Sequence, residues 1–291
     1  MKDLKQITVI GLGLLGGSIT LTIKRCLPSV KVVGYTHRPA TRKKARNLAV
    51  AAKIFNKLTD SVSNADLVIL ATPICTFENI FSKIADSLPI GCIVTDVGST
   101  KVLAHRWARR SLPKTVNYVG SHPIAGSEQR GVEFARDDLF EKATCILTTT
   151  NKSDPKSVRT LKKFWSTLGC NVKLMTPVRH DNVFANISHL PHIAAASLIN
   201  ANDNQTLKFA GTGLIDTSRI ASSPPNIWTD IFATNAQNCI KAIDKIIAEL
   251  KKLRKALNVE DKKQIEKILR KAKRKRTALM NYKMKKKELI S

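Results

Sequence analysis

The sequence predicts an α/β protein in two parts, a doubly wound parallel sheet followed by an all-helical region, and three observations carry that expectation. Apolar runs of strand length alternate with helix-like stretches through the first 176 residues, a glycine-rich turn follows the first run, and strand signals stop after Thr176-Pro177. The expected strands are residues 7–10, 31–35, 67–71, 93–96, 118–119, 145–148 and 172–175. Several are apolar throughout, as in a sheet covered on both faces. A boundary near Pro177 divides residues 1–176 from a helical domain of residues 177–291, with the active site expected in the cleft between them.

The first strand runs directly into Gly11-Leu12-Gly13-Leu14-Leu15-Gly16, and a helix-like stretch from Gly17 to Arg25 follows. In this context the first glycine permits a tight turn, the second admits a pyrophosphate to the backbone, and the third lets helix and strand pack closely. The helix start then offers free amides and partial positive charge to the phosphates. The pattern marks residues 1–176 as a Rossmann-type dinucleotide-binding domain. The next strand ends in Tyr35-Thr36-His37-Arg38 without the acid that would bind the adenosine ribose of NAD. Thr36, His37 and Arg38 offer a hydroxyl and positive charge, so NADP is the expected cofactor; the alternative is that Arg38 stacks on adenine and NAD is used. Thr72 and Pro73, after the strand at 67–71, belong to a loop expected to pass under the nicotinamide.

Beyond Pro177 the periodicity is helical. His189 and His192 stand three residues apart and share a helical face, with Asp181 near the same face. No metal is expected there, because two histidines and an acid at this spacing lack a further ligand. Near the C-terminus, Ile243, Ile246, Ile247, Leu250, Leu253 and Leu257 form one apolar stripe, and Ile265, Ile268, Leu269 and Ala272 form a second after a break at 258–261. This helical hairpin needs a partner for its apolar faces, either its own domain or a second copy in a homodimer.

Composition narrows the setting. With 291 residues, 43% apolar and 24% charged, the chain can bury one large or two ordinary cores. Six scattered cysteines without a C-x-x-C pair read as reduced thiols of a cytoplasmic protein. Residues 7–23 carry no charge, yet glycine, threonine and serine dilute them too far for a signal peptide or membrane anchor. Of the net charge of +27, +13 falls in residues 241–291. Only Tyr282 interrupts that basic stretch for base stacking, so it reads as a solvated helix face rather than a nucleic-acid site.

Four further motifs stand in order along the chain: Thr95-Asp96-Val97-Gly98-Ser99-Thr100-Lys101, Ser121-His122-Pro123-Ile124-Ala125-Gly126-Ser127-Glu128, Ile187-Ser188-His189-Leu190-Pro191-His192, and Arg219-Ile220-Ala221-Ser222-Ser223-Pro224 with Trp228-Thr229-Asp230-Ile231. Together with the glycine turn, this set resembles the prephenate/arogenate dehydrogenase family. Dehydrogenases of small hydroxy acids share the first domain but lack the set. The resemblance implies NAD(P)-dependent oxidative decarboxylation of prephenate, or arogenate, to 4-hydroxyphenylpyruvate, or tyrosine, in tyrosine biosynthesis. It further implies a homodimer formed through the helical domain.

For that chemistry a neutral imidazole suits the reacting hydroxyl, which makes His122 the candidate base; the resemblance places Ser99 near this histidine, where it orients the ring. Arg219 offers a planar fork for a carboxylate, with Asp216 three residues earlier to steer it. By resemblance His192 lines the substrate pocket, His189 and Asp181 support it, Ser127 and Glu128 stand at the pocket edge, and Trp228 supplies an aromatic wall. Lys101 is read as solvated. No separate amino-acid-sensing domain is expected. The competing readings are another NADP-dependent reductase of the superfamily and a nucleotide-sensing protein whose basic tail binds nucleic acid.

Overall fold

The computed structural model describes residues 4–125 and 129–285. Nine strands and thirteen α-helices run in the order β1 (Gln6–Ile10), α1 (Leu14–Cys26), β2 (Lys31–Tyr35), α2 (Pro39–Asn47), β3 (Lys53–Phe55), α3 (Leu58–Val62), β4 (Leu67–Leu70), α4 (Phe77–Ile84), β5 (Ile93–Asp96), α5 (Val102–Ser111), β6 (Asn117–Tyr118), β7 (Gly120–Ile124), β8 (Thr144–Thr148), α6 (Pro155–Thr167), β9 (Asn171–Met175), α7 (Pro177–Phe184), α8 (Leu190–Asn200), α9 (Asn204–Leu207), α10 (Thr212–Ser218), α11 (Pro225–Thr234), α12 (Ala236–Asn258) and α13 (Lys262–Lys285), counted among the described residues.

Six strands form one parallel sheet in the order β3-β2-β1-β4-β5-β6. The direction of winding reverses between β1 and β4, so the glycine turn after β1 opens at the crevice where such sheets take ligands. Alternation within β4 shows both faces covered: Leu67 and Ile69 join the core under α1, whereas Val68 and Leu70 join the core under α4 and α5. On α4, Phe77, Phe81 and Ile84 recur at helical spacing and are fully buried, each contributing roughly 1.5 to 3 kcal/mol of burial.

One mostly parallel sheet was the expectation for all seven predicted strands, and the structure departs from it. Residues 144–148 and 171–175 belong to a second sheet, β7-β8-β9, in which β7 runs antiparallel to β8. Neither β7 nor β3 was expected. β3 is only three residues long, and β7 contains Pro123, which an edge strand tolerates because its N–H side need not pair.

Helix α7 starts where the sequence punctuation places it. Thr176 caps it by accepting from Arg179 N at 3.2 Å, and Pro177 occupies the first turn. By packing, the chain forms one compact unit through Ala236 and a second from residue 237 onward. The second unit holds most of α12 and all of α13, and its chain reverses at 259–261, where Glu260 adopts φ +50°. Among the described residues, no helix is long and apolar enough to cross a membrane.

Candidate active site

The glycine turn is built by close packing at two positions and by open space at a third. Gly11 has φ +96° and donates to Tyr35 O at 2.8 Å. A Cβ there would lie 2.5 Å from Ala71 O, and one on Gly16 would lie 1.7 Å from Gly11 O. At Gly13 a Cβ would meet no atom within 4 Å. Packing therefore does not require Gly13, and the space beside it adjoins the uncapped amides at the start of α1, as a pyrophosphate needs. The side chains of Leu12, Leu14 and Leu15 pack into the core, which leaves only their backbone to face a nucleotide.

At the end of β2, Thr36 is buried while His37 and Arg38 are exposed. Arg42, which the sequence reading did not single out, donates to Thr36 O at 3.3 and 3.1 Å and to His37 O at 3.3 Å, fixing this corner. Arg42 and Arg46 both reach Asn56, so the corner is cationic. Thr72 touches the glycine turn and pairs with Thr76 at 2.7 Å, and Thr76 also donates to Pro73 O, so this loop is braced from within.

Beside β5 lies a buried polar cluster. The Oδ2 of Asp96 accepts from Gly98 N at 2.8 Å and from the Lys101 ammonium; its Oδ1 accepts from Tyr118 at 2.8 Å and from Ser121 N at 3.3 Å. Lys101 also donates to Ser121 O at 2.7 Å and is 0% exposed. The reading of Lys101 as solvated is thus corrected: its charge is buried because Asp96 lies within reach to neutralise it. The Ser121 hydroxyl contacts Thr95 at 2.6 Å and accepts from Trp165 at 3.0 Å, anchoring β7 to the carboxyl end of β5. That end lies two strands from the glycine turn on the same edge of the sheet.

His122, the next residue on β7, presents Nδ1 to His180 Nε2 at 2.8 Å, and His180 Nδ1 meets Asp181 Oδ1 at 2.8 Å. Asp181 also accepts from Lys101 N and Val102 N, both at 2.8 Å, at the start of α5. Phe184 stacks on His180 with centroids 4.5 Å apart and packs on His122 at 4.8 Å. Desolvation holds His122 well below the usual imidazole range, and His180, Lys101 and His189 add to the effect. Desolvation likewise takes His180 down to about 2, with Lys101 and His189 contributing. His122 is therefore a neutral ring whose Nδ1 is engaged, leaving Nε2 for an outside partner.

A second group forms where α11 meets the segment after α7. His192 lies flat on Trp228, with centroids 3.7 Å apart and planes 9° from parallel, and its buried Nδ1 has no hydrogen-bond partner among the described residues. His189 ends a π-helical turn (Ala185–His189) and contacts Asn235 Nδ2 at 3.2 Å; the same amide donates to Asp181 O at 2.8 Å. Burial takes His189 down to about 4, partly opposed by Asp181. Asp181 meets His189 through the shared amide, and its carboxylate faces His180, which the sequence reading passed over. Thr100 and Thr234 join at 2.8 Å, tying α11 to the loop that carries the half-buried Ser99. Arg219 and Asp216 lie on exposed turns of the α10 region. Ser127 and Glu128 lie outside the described residues. Among the described residues, no group of three or more His, Cys, Asp or Glu side chains is placed to hold a metal ion.

Comparison with known proteins shows the family. The family model described as "Prephenate dehydrogenase, nucleotide-binding domain" matches residues 19–174, and that described as "Prephenate dehydrogenase, dimerization domain" matches residues 176–271. The chain is 35% identical over 280 residues to a prephenate dehydrogenase of Bacillus subtilis, covering 94% of this chain and 75% of that one. It is 32% identical over 268 residues to a cyclohexadienyl dehydrogenase of Zymomonas mobilis, covering 90% and 91% respectively. Among solved structures, the prephenate dehydrogenase of Aquifex aeolicus in complex with hydroxyphenyl propionate and NAD+ superposes with a TM-score of 0.88 at 33% identity, covering 94% of this chain and 98% of that one.

Proposed function

The chain belongs to the prephenate dehydrogenase family, an oxidoreductase family working with a nicotinamide cofactor, and on that premise we propose that it carries out NADP-dependent oxidative decarboxylation of prephenate or arogenate with His122 as the base. The observation that carries this reading is the placement of a neutral imidazole, with Nε2 unengaged by His180, at the sheet edge that holds the glycine turn. A nicotinamide cofactor held at the glycine turn would supply the hydride acceptor for the ring carbon that bears the hydroxyl. Nε2 of His122 takes the hydroxyl proton, and loss of carbon dioxide leaves an aromatic ring, so the products are a phenol, carbon dioxide and the reduced cofactor. The protein's main task is alignment of donor and acceptor.

His192 supports the substrate end of this reading, since a buried ring nitrogen without a partner is costly unless a ligand supplies one. Trp228 holds that ring in place by stacking. Arg219 is assigned to a substrate carboxylate and Asp216 to the steering of Arg219, His189 to the support of His192, and Ser99 to orientation of the ring. The NADP preference rests on Arg38 and on the cationic corner built by Arg42 and Arg46, where no acidic side chain stands in the first turn of α2. We further infer that the functional boundary lies at 176/177. The apolar residues exposed on α12, among them Leu250 and Leu257, cover one another in a homodimer.

Steady-state turnover with each substrate and each cofactor tests the assignment. His122→Asn should retain cofactor binding and lose 100-fold or more in kcat, on the order of what one general base supplies. Arg38→Ala should raise KM for NADP about tenfold while sparing NAD. Wild-type turnover of neither substrate, or a normal kcat in His122→Asn, would overturn the reading.

A further inference from the structure

Asp181 is placed to dictate which nitrogen of a distant ring carries a proton. A carboxylate can only accept hydrogen bonds, and Asp181 is held in that form by its position at the start of α5, where the amides of Lys101 and Val102 donate to its two oxygens at 2.8 Å each. Burial acts in the opposite sense and is the larger effect, raising its affinity for a proton, while the two backbone donors, with Lys101 and His189, oppose that pull. The third contact, 2.8 Å to His180 Nδ1, must then be a donation by His180. A neutral imidazole that donates through Nδ1 carries its lone pair on Nε2. That atom lies 2.8 Å from His122 Nδ1, so His122 donates there and keeps its own lone pair on Nε2.

Resting on the assignment of His122 as the base, we infer that His180 and Asp181 are positioning residues that lock His122 in the Nδ1–H tautomer, so that Nε2 always faces the substrate as an acceptor. Phe184 stacks on the His180 ring and packs against that of His122, and α7 itself is tied down by the Asn235 amide on Asp181 O. When Nε2 takes the proton, the new cation keeps its Nδ1 bond to His180, and Asp181 stabilises the charge through that second ring. Without the carboxylate, the pair of imidazoles has two arrangements of similar energy, and one of them puts a proton on the nitrogen that must receive one.

Nitrogen-15 NMR of the histidine rings in the full-length, ligand-free protein reads the tautomers directly. His122 and His180 should both appear as Nδ1–H, and in Asp181→Asn both should reverse, because an asparagine amide can donate to His180 Nδ1. Turnover supplies the second reading. His180→Leu removes the acceptor for His122 and should cost 100-fold or more in kcat with unchanged cofactor affinity, whereas His180→Gln, whose Oε1 can accept in its place, should stay within about tenfold of wild type. The inference is overturned if wild-type His122 is Nε2–H, or if His180→Leu keeps kcat within about threefold. Should His180→Leu turn over normally while His122→Asn does not, the relay fails and the base assignment stands; normal turnover by His122→Asn removes both.

Discussion

Replacing Lys101 by methionine tests how the site is held together, because it leaves the Asp96 carboxylate charged and 0% exposed without its counter-ion. Removing one partner of a buried ion pair typically costs about 3 to 5 kcal/mol. Asp96 would keep three donors, Gly98 N, Ser121 N and the Tyr118 hydroxyl, so the low end applies and we expect about 3 kcal/mol. For a folded unit of roughly 230 residues this corresponds to a fall in Tm of about 6 to 12 °C. The Lys101→Met, Asp96→Asn double variant should recover at least about 1 kcal/mol of the loss, since no unpaired charge remains. Calorimetry and urea unfolding of the three proteins at pH 7 give both numbers. A Tm drop below about 2 °C in Lys101→Met, or a double variant no more stable than Lys101→Met, would refute the reasoning.

Two further outcomes follow from local geometry. Gly13→Ala should leave Tm within about a degree of wild type and weaken cofactor binding tenfold or more, because its Cβ meets only the space a pyrophosphate would use. Gly16→Ala places a Cβ against the backbone of Gly11 and should cost about 3 kcal/mol or more by thermal unfolding, whatever the cofactor concentration. Acid should destabilise the fold in a defined window: burial takes His105 down to about 4, with Lys101 adding to the effect, so its contribution is complete above about pH 6.5 and is lost as pH falls toward 4. His189 behaves in the same sense. A plot of unfolding free energy against pH should therefore rise from 4.5 to 6.5, and His105→Gln should flatten it by on the order of 2 kcal/mol; an unchanged slope in that variant would count against the burial argument.

Much of the sheet was legible because its strands satisfy two local rules at once. The run in β4 is continuous and apolar, and those in β1 and β5 are buried throughout although Gln6, Thr8, Thr95 and Asp96 interrupt them, since both faces of the sheet are covered; each precedes a glycine, a proline or a helix start. β3 escaped because Lys53, Ile54 and Phe55 show no alternation over three residues; it exists through its pairing with β2. β7 escaped for a different reason. Gly120, Ser121, His122 and Pro123 carry turn and polar chemistry, and they form a strand only because the Ser121 hydroxyl meets Thr95 while β8 supplies the ladder. The strand that carries the candidate base is therefore specified by tertiary contacts that no window of local sequence contains.

The site divides along the same line. Residues whose role depends on backbone shape, Gly11, Gly13 and Gly16, announced themselves by spacing and neighbours. Those whose role depends on a partner did not: Lys101 looked solvated because lysine is rarely buried, and only Asp96, Tyr118 and Ser121 brought together explain why it is. His180 stood beside Asp181 in the first turns of a helix whose start was correctly read, so a signal existed. The dipeptide His180-Asp181 pairs a tautomeric ring with an acceptor, and four residues later Phe184 adds an apolar cover on the same helical face. What no local pattern could supply is the third member, because the amides that keep Asp181 charged belong to α5, some eighty residues earlier in the chain. An acid that must stay ionised in a buried site needs donors, and the fold provides them from a helix end. The chemistry assigned to His122 is thus conditional on how α5 and α7 pack, so a substitution that loosens that packing should lower kcat before it lowers cofactor affinity.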